Sequence, residues 1–421
     1  MNWQKAGVNP APKSAMARFA SVPIIKFSEF IYAGRIHSQR YKDAMHQLFS
    51  PFKLASLPLV NRVVMAPLTR ARAPDDVATE TVALYYTQRA TAGLIVSEGT
   101  PISREGQGYL FNPGIYTPAQ IAGWRLTTQS VHAIGAKMFA QLWHVGRVSH
   151  PSIQTDGIDP VSASAKTAQG AMAYGVKDDG TPGMVATTQP RQLATDEVAR
   201  VVQDFANASA NAIEAGFDGV EIHGANGYLL EQFLNPLVND RDDEYGAATM
   251  DNRLRFALEV VDAVVARIGR ERVGIRLSPY GRLFDMPLYD DIDATYTALV
   301  AALGERRIAY VHIMDQSGYG MGDKASGPTV SDKIQDLLRA FRPTLPETAL
   351  ILAGGMTRER ADKMIDDGVI DLAAFGQPFI SNPDLVARLR NGWPLAEPDR
   401  STYYGGDAKG YIDYPPYAAQ A

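Results

Sequence analysis

Eight short apolar segments recur along the chain, and each is followed by a longer stretch with helical periodicity. The apolar segments span 62–66, 94–98, 137–141, 219–222, 273–277, 310–314, 350–353 and 372–375. The helical stretches lie near 81–92, 118–134, 196–215, 251–268, 291–303, 331–341 and 357–367, with one more after Asn382. Strands this short and this uniformly apolar are expected where both faces are covered. Eight strand–helix units in series predict the α/β class, as a parallel (β/α)8 TIM barrel. A doubly wound open sheet is the competing arrangement. The chain has 421 residues, 46% of them hydrophobic, which is enough for a barrel as one large domain.

Helix boundaries carry their own signals. Thr195 before Asp196-Glu197 and Ser331 before Asp332 are expected N-caps. Gly216, Gly269 and Gly368 follow helical stretches, where a left-handed residue ends many helices. The connection 142–195 is too long for an ordinary strand-to-helix loop and is rich in Gly, Pro, Ser and Thr. It predicts a lid-like excursion over the barrel mouth after the third strand, with a hairpin in it. Residues 1–44 are basic and poor in acids, and Met45 precedes the first orderly segment. They are expected to be a disordered extension or the product of a misassigned start, with a transit peptide as the alternative. Residues 45–421 are expected to hold the barrel.

Composition excludes several functions. The chain has no cysteine, so disulfides, thiolate catalysis and cysteine metal sites are absent, which suits a cytoplasmic protein. A net charge of −5 argues against a general nucleic-acid binder. No apolar run is long enough to span a membrane. The seven histidines form neither HxH nor HExxH, which argues against a zinc hydrolase. His132 and His312 read as packing positions, and His144 and His150 as excursion residues without a chemical task.

A barrel places its chemistry at the C-terminal ends of the strands. Read that way, Pro67 and Thr69, Gly99, Gln141 and Trp143, His223 and Asn226, Arg276, Gly354-Gly355 and Gly376-Gln377 converge on one mouth. The segment from Val220 to Tyr228 is the most informative. His223 and Asn226 can donate hydrogen bonds, and Tyr228 keeps its proton at neutral pH. Two donors and a proton source suit a substrate whose oxygen gains negative charge while a carbon takes a proton. Gly354, Gly355 and Gly376 form either a phosphate cradle or ordinary turns. Arg276 requires an anionic partner inside a barrel, or a structural ion pair. Gln141 holds a ring amide edge or is a satisfied core amide.

Several long motifs, in order from about Leu48 to Tyr417, resemble the Old Yellow Enzyme family of FMN-dependent ene-reductases. They include Asn61–Arg70, Ser97–Thr100, Gln141–Arg147, Val220–Leu234, Asn239–Gly246, Ile275–Pro279 and Asn382–Leu385. The resemblance implies a bound FMN reduced by NADPH or NADH. Hydride then passes from the flavin to the β-carbon of an activated alkene, such as an α,β-unsaturated carbonyl, a maleimide or a nitroalkene, or electrons pass to a nitro compound. It implies that His223 and Asn226 hold the substrate oxygen and that Tyr228 protonates the α-carbon. Pro67, Leu68, Thr69, Gly99, Gln141 and Arg276 would contact the flavin ring, and a reduced, anionic flavin would answer the charge of Arg276. Gly354, Gly355, Gly376 and Gln377 would hold the phosphate, and Trp143 and Tyr404 would shape the substrate pocket. The rival readings are a phosphate-binding barrel isomerase or lyase, which would favour a Lys or Glu catalyst, and a flavin-binding protein without turnover.

The chain departs from the family at Gln377, where an arginine usually binds the phosphate. Ala247-Ala248 also replaces the usual Gly-Ser, in a loop where little effect is expected. A charge-assisted contact of the arginine kind gives about 1.5–3 kcal/mol, so retention of FMN should be weaker unless Lys324 or another cation compensates. Gln377→Arg is therefore expected to lower the FMN dissociation constant about tenfold or more. Titration of the apoprotein with FMN checks this, and an unchanged or higher constant rejects it.

Overall fold

The computed structural model describes residues 47–317 and 329–417. The basic stretch 1–44, Met45 and Lys324 lie outside the described residues. Eight strands form the centre: β1 (Val63–Met65), β2 (Leu94–Pro101), β3 (Met138–Trp143), β4 (Gly219–Gly224), β5 (Val273–Leu277), β6 (Tyr310–Met314), β7 (Ala349–Ala353) and β8 (Leu372–Phe375). They pair in sequential order, all in parallel, and close into a barrel. Closure decides against the open sheet: β8 pairs with β1, placing Ala373 opposite Val63 and Phe375 opposite Met65.

The unbroken apolar runs follow from coverage on both faces. Along β1, Val63 and Met65 pack outward with the helices, while Val64 and Ala66 face the lumen. The lower lumen is apolar, filled by Leu94, Phe139, Tyr310, Ile351 and Leu372. A hairpin just before β1, Phe52–Leu54 against Leu57–Leu59, joins this cluster through the buried Leu54 and Leu59. The upper lumen is polar and buried, with Gln141, Glu221, His223, Arg276 and His312.

The pairing of β2 with β3 shifts between Val96 and Gly99. One extra residue there is a β-bulge, a device that re-aims side chains next to functional sites. It brings the Ser97 hydroxyl to accept the backbone N–H of Gln141 at 2.9 Å.

Helix ends differ from expectation at two places. The helix Thr195–Glu214 is capped from Ala194, whose N–H donates to Glu197, and the Thr195 hydroxyl instead donates to Asp243. The helix Val330–Phe341 is capped by Thr329, not Ser331, because Thr329 and Asp332 satisfy each other's N–H groups. In both cases an acidic residue three positions on fixed the cap. Gly216, Gly269 and Gly368 do adopt positive φ at helix ends.

The excursion after β3 contains the antiparallel hairpin Met172–Val176 with Pro182–Ala186. It meets loops at the C-terminal ends of two strands. Tyr174 bridges to Tyr109 in the β2 loop, and Arg147 donates to the carbonyls of Phe284 and Asp285 in the β5 loop.

The hairpin plug predicts an asymmetric cost. Leu54→Ala removes a wholly buried side chain and should destabilise by about 2–5 kcal/mol. Val60→Ala, at a position 60% exposed, should stay within about 0.5 kcal/mol. Denaturant unfolding of both variants checks this, and equal effects would contradict the plug.

Candidate active site

His223 sits one residue before the end of β4 and is buried at the top of the lumen. Its Nδ1 accepts the backbone N–H of Ala225 at 3.3 Å. Burial first, then Arg276 and His312, hold its pKa well below the ordinary 6.5. The ring is therefore neutral, and with Nδ1 accepting, Nε2 carries the proton as a donor. Tyr228 stands edge-on to this ring, with centroids 5.0 Å apart, and edge-on to Trp143 at 4.8 Å. Burial, followed by the neighbouring phenol Tyr109 and then Tyr404, pushes the Tyr228 pKa well above 10. Tyr109 stacks on Trp143 at 5.4 Å, and Phe284 packs on Tyr228 at 5.3 Å. Gly99 makes room for this cluster, since a Cβ there would lie 2.4 Å from the Trp143 ring.

Tyr404 is 63% exposed, and its phenol is near enough to help raise the pKa of both Tyr109 and Tyr228. Its segment is tied down by arginines that follow directly on Thr69. Arg70 donates to the carbonyls of Thr402, Tyr403 and Gly410, and Arg72 to those of Thr402, Asp407 and Lys409.

Asn226 is fixed by a chain of assigned donors and acceptors. The Gln316 Oε1 accepts the backbone N–H of Arg282 at 3.0 Å, so its Nε2 must donate to the Asn226 Oδ1, also at 3.0 Å. That leaves the Asn226 NH2 as the donor end. Asn226 adopts φ 60°, which asparagine tolerates better than most residues, and its N–H donates to Ser278 Oγ at 2.7 Å. Ser278 donates in turn to the buried Glu231, which also accepts from Gly227 N–H at 2.6 Å and Tyr296 OH at 3.0 Å. Glu231 thus holds the turn at Asn226, through Ser278, and at Gly227 directly.

Below the mouth, Gln141 donates through Nε2 to Glu221 Oε1 at 2.8 Å, and His312 Nδ1 meets Glu221 Oε2 at 2.8 Å. Arg276 lies opposite both His223 and His312 in the strand register and reaches Met314 Sδ at 3.1 Å. At the β1 end Pro67 is buried, and Leu68 and Thr69 are half-buried. Gly354 (φ 106°) and Gly355 (φ 54°) form a turn after β7 that non-glycine residues resist. A Cβ on Gly376 would meet only Leu68, at 3.5 Å, so space lies open there. Gln377 is exposed at the start of the helix Gln377–Ser381. Arg360 donates to the Gly354 carbonyl at 2.6 Å and pairs with the buried Asp315 at 2.9 Å.

With this geometry in view, known proteins place the chain. Residues 47–396 match the profile of the NADH:flavin oxidoreductase / NADH oxidase family. The chain belongs to that family. Within it, 12-oxophytodienoate reductase 1 of Oryza sativa subsp. japonica is 45% identical over 371 residues, covering 87% of this chain and 92% of the relative. The solved structure of morphinone reductase in complex with tetrahydroNAD superposes with a TM-score of 0.82 at 46% identity, covering 88% of this chain and 98% of that one. An old yellow enzyme homologue from Zymomonas mobilis gives 0.79 at 38% identity, covering 88% and 99%. The expected Old Yellow Enzyme membership holds. The protein is an FMN-dependent oxidoreductase that draws electrons from a reduced nicotinamide, of the class that reduces activated alkenes. Small molecules are its partners. Among the described residues no helix is long and apolar enough to cross a membrane.

Sequence reasoning missed Tyr109, Gln316 and Glu221. Glu221 was within reach: it shares the lumen-facing parity of His223 along β4, two residues away. Gln316 follows β6 at its C-terminal end, where functional residues gather. Nothing in the sequence marks Tyr109, because a non-local bridge brings it in.

The Glu231 carboxyl gives a pH test. Burial pushes its pKa up to about 7 from 4.5, against the pull of Gly227, Ser278 and Tyr296. Its stabilising contribution is present below pH 4.5 and is lost as pH rises through 7. Glu231→Gln is neutral throughout, so its stability relative to the parent should improve between pH 5 and 8, by roughly 3 kcal/mol at most. Urea unfolding at both pH values checks this, and parallel pH profiles would contradict it.

Proposed function

We propose that this family member reduces alkenes activated by a carbonyl or nitro group, including maleimides, with His223 and Asn226 gripping the activating oxygen and Tyr228 delivering the proton. Nitro compounds are further acceptors. The observation that carries this reading is the pairing of a neutral imidazole donor with a strongly protonated phenol at one strand end. A neutral donor stabilises developing charge on oxygen without surrendering its proton to it. A phenol of raised pKa stays protonated through the physiological range and yields its proton only to a strong base, such as an enolate carbon. Trp143, Tyr109, Phe284 and Tyr404 bound the space around that carbon and favour a flat, apolar substrate.

The residues present suit FMN. Arg276 supplies a buried cation and Gln141 an amide, and Pro67, Leu68, Thr69 and Gly99 line the mouth beside them. The glycine turn at 354–355, the open flank of Gly376 and the exposed Gln377 suit the phosphate end. When bound, FMN supplies hydride chemistry that no side chain can perform. The protein orients the acceptor, excludes water with its aromatic cluster and places the proton. Glu221, the carboxylate next to His223 on the lumen face of β4, is engaged by Gln141 and His312, which disfavours its use as an isomerase catalyst, and the cysteine-free composition supports a cytoplasmic setting.

Tyr228→Phe separates these roles. Alkene reduction should slow by about 10²–10⁴-fold, while flavin reduction by the nicotinamide stays within about twofold of the parent. Anaerobic stopped-flow of the two half-reactions checks this. Loss of both together would mean that Tyr228 supports the fold or the flavin seat instead.

A further inference from the structure

The most unusual feature outside the substrate grip is the buried group beneath it. Glu221 and His312 have side chains with no exposure at all, 2.8 Å apart, in a lumen that also holds Arg276. Although burial pushes the Glu221 carboxyl up, His312, Arg276 and Gln141 together draw it below its usual range, so it is an ionised acceptor. A carboxylate cannot donate. His312 must therefore present Nδ1–H to it, and Gln141 must present its NH2.

The consequence falls on Gln141. The two ends of a carboxamide are nearly the same size, so packing alone does not fix its orientation and its hydrogen-bond partners do. Flipping Gln141 here would set its oxygen against the Glu221 carboxylate at 2.8 Å, an acceptor facing an anion. Rotation about the Gln141 amide is thus decided from below, by a residue that touches no ligand.

We propose that Glu221 is a positioning residue of the cofactor seat: it fixes which end of the Gln141 carboxamide accepts and which donates, so that the mouth reads the amide edge of a flavin ring in one sense only. This rests on the reading that FMN occupies the mouth with Gln141 at its ring. It assigns a task to a buried ion that is otherwise a liability, since an ionised carboxylate in a closed lumen is expensive to desolvate.

FMN titration of apoprotein variants tests the inference. Glu221→Gln restores freedom to flip and should weaken FMN binding about tenfold, the scale of one charge-assisted hydrogen bond. Gln141→Leu should cost a similar factor, and the double variant no more than either alone, because Glu221 acts through Gln141. The two-electron midpoint potential of E221Q should also rise, since a negative charge near the ring has been removed. E221Q binding within twofold of the parent, losses that multiply in the double variant, or a potential that is unchanged or lower would each overturn the proposal. If E221Q does not fold, His312→Gln carries the test. It leaves the Glu221–Gln141 bond in place, so it must lose less affinity than Q141L, and an equal or greater loss overturns the idea. A parent protein that fails to bind FMN would reject the cofactor seat itself, a separate outcome.

Discussion

The structure turns on two opposite charges confined to a closed barrel. Arg276 and Glu221 are both buried in the upper lumen, and the positive charge of Arg276 helps draw the Glu221 carboxyl below its usual range. Removing either ion from water costs several kcal/mol, and a barrel core of branched aliphatics would be more stable. The lower lumen is built in that apolar way, down to the plug at Leu54 and Leu59. The switch from apolar to charged halfway up the same strands therefore marks where stability yields to chemistry. Arg276 also has a second effect, because its positive field, added to burial, keeps His223 neutral. Neutrality makes His223 a donor that polarises without being a proton source, and in the proposed mechanism protonation is left to Tyr228.

Precision at the mouth comes from acceptors and donors that leave no alternative. Backbone N–H of Ala225 fixes the tautomer of His223, and Gln316, itself fixed by Arg282, orients Asn226. Glu231 holds the turn between them through Ser278 and Gly227. Rigid second partners of this kind keep a site within the narrow tolerance that catalysis needs. The proposed substrate wall is built differently. Trp143 comes from β3, Tyr109 from the β2 loop, Phe284 from the β5 loop and Tyr404 from a tail clamped by Arg70 and Arg72. Three of these four lie on loops, where substrate preference can change without disturbing the donors.

Much of this was legible in the sequence. The eight strands were readable because both faces are buried, and four of the eight apolar segments that mark them need at most one residue added to match the structure. The placement of His223, Asn226 and Tyr228 together was readable because one strand end carries all three. The helix starts at Ala194 and Thr329 were misplaced by one or two residues, since each cap depends on which acidic side chain folds back. The partners that give the site residues their state were not readable. Arg282, Gln316 and Tyr109 act across sequence separations of 34 to more than a hundred residues, and only closure of the barrel joins them. Gln377 remains the chain's own departure. The nearby Arg360 is already matched by Asp315 and spends a donor on the Gly354 carbonyl, so it is a poor substitute for the missing arginine.

Everything at the mouth depends on burial, with the charge of Arg276 beside it, keeping an uncharged imidazole at position 223, protonated on Nε2. Nitrogen-15 NMR of histidine-labelled protein between pH 5.5 and 8, with His223→Gln to assign the signal, tests it directly. The expected result is the Nε2–H tautomer at every pH, with no titration. A resonance that titrates near the ordinary imidazole value, or one that shows the proton on Nδ1, would contradict it.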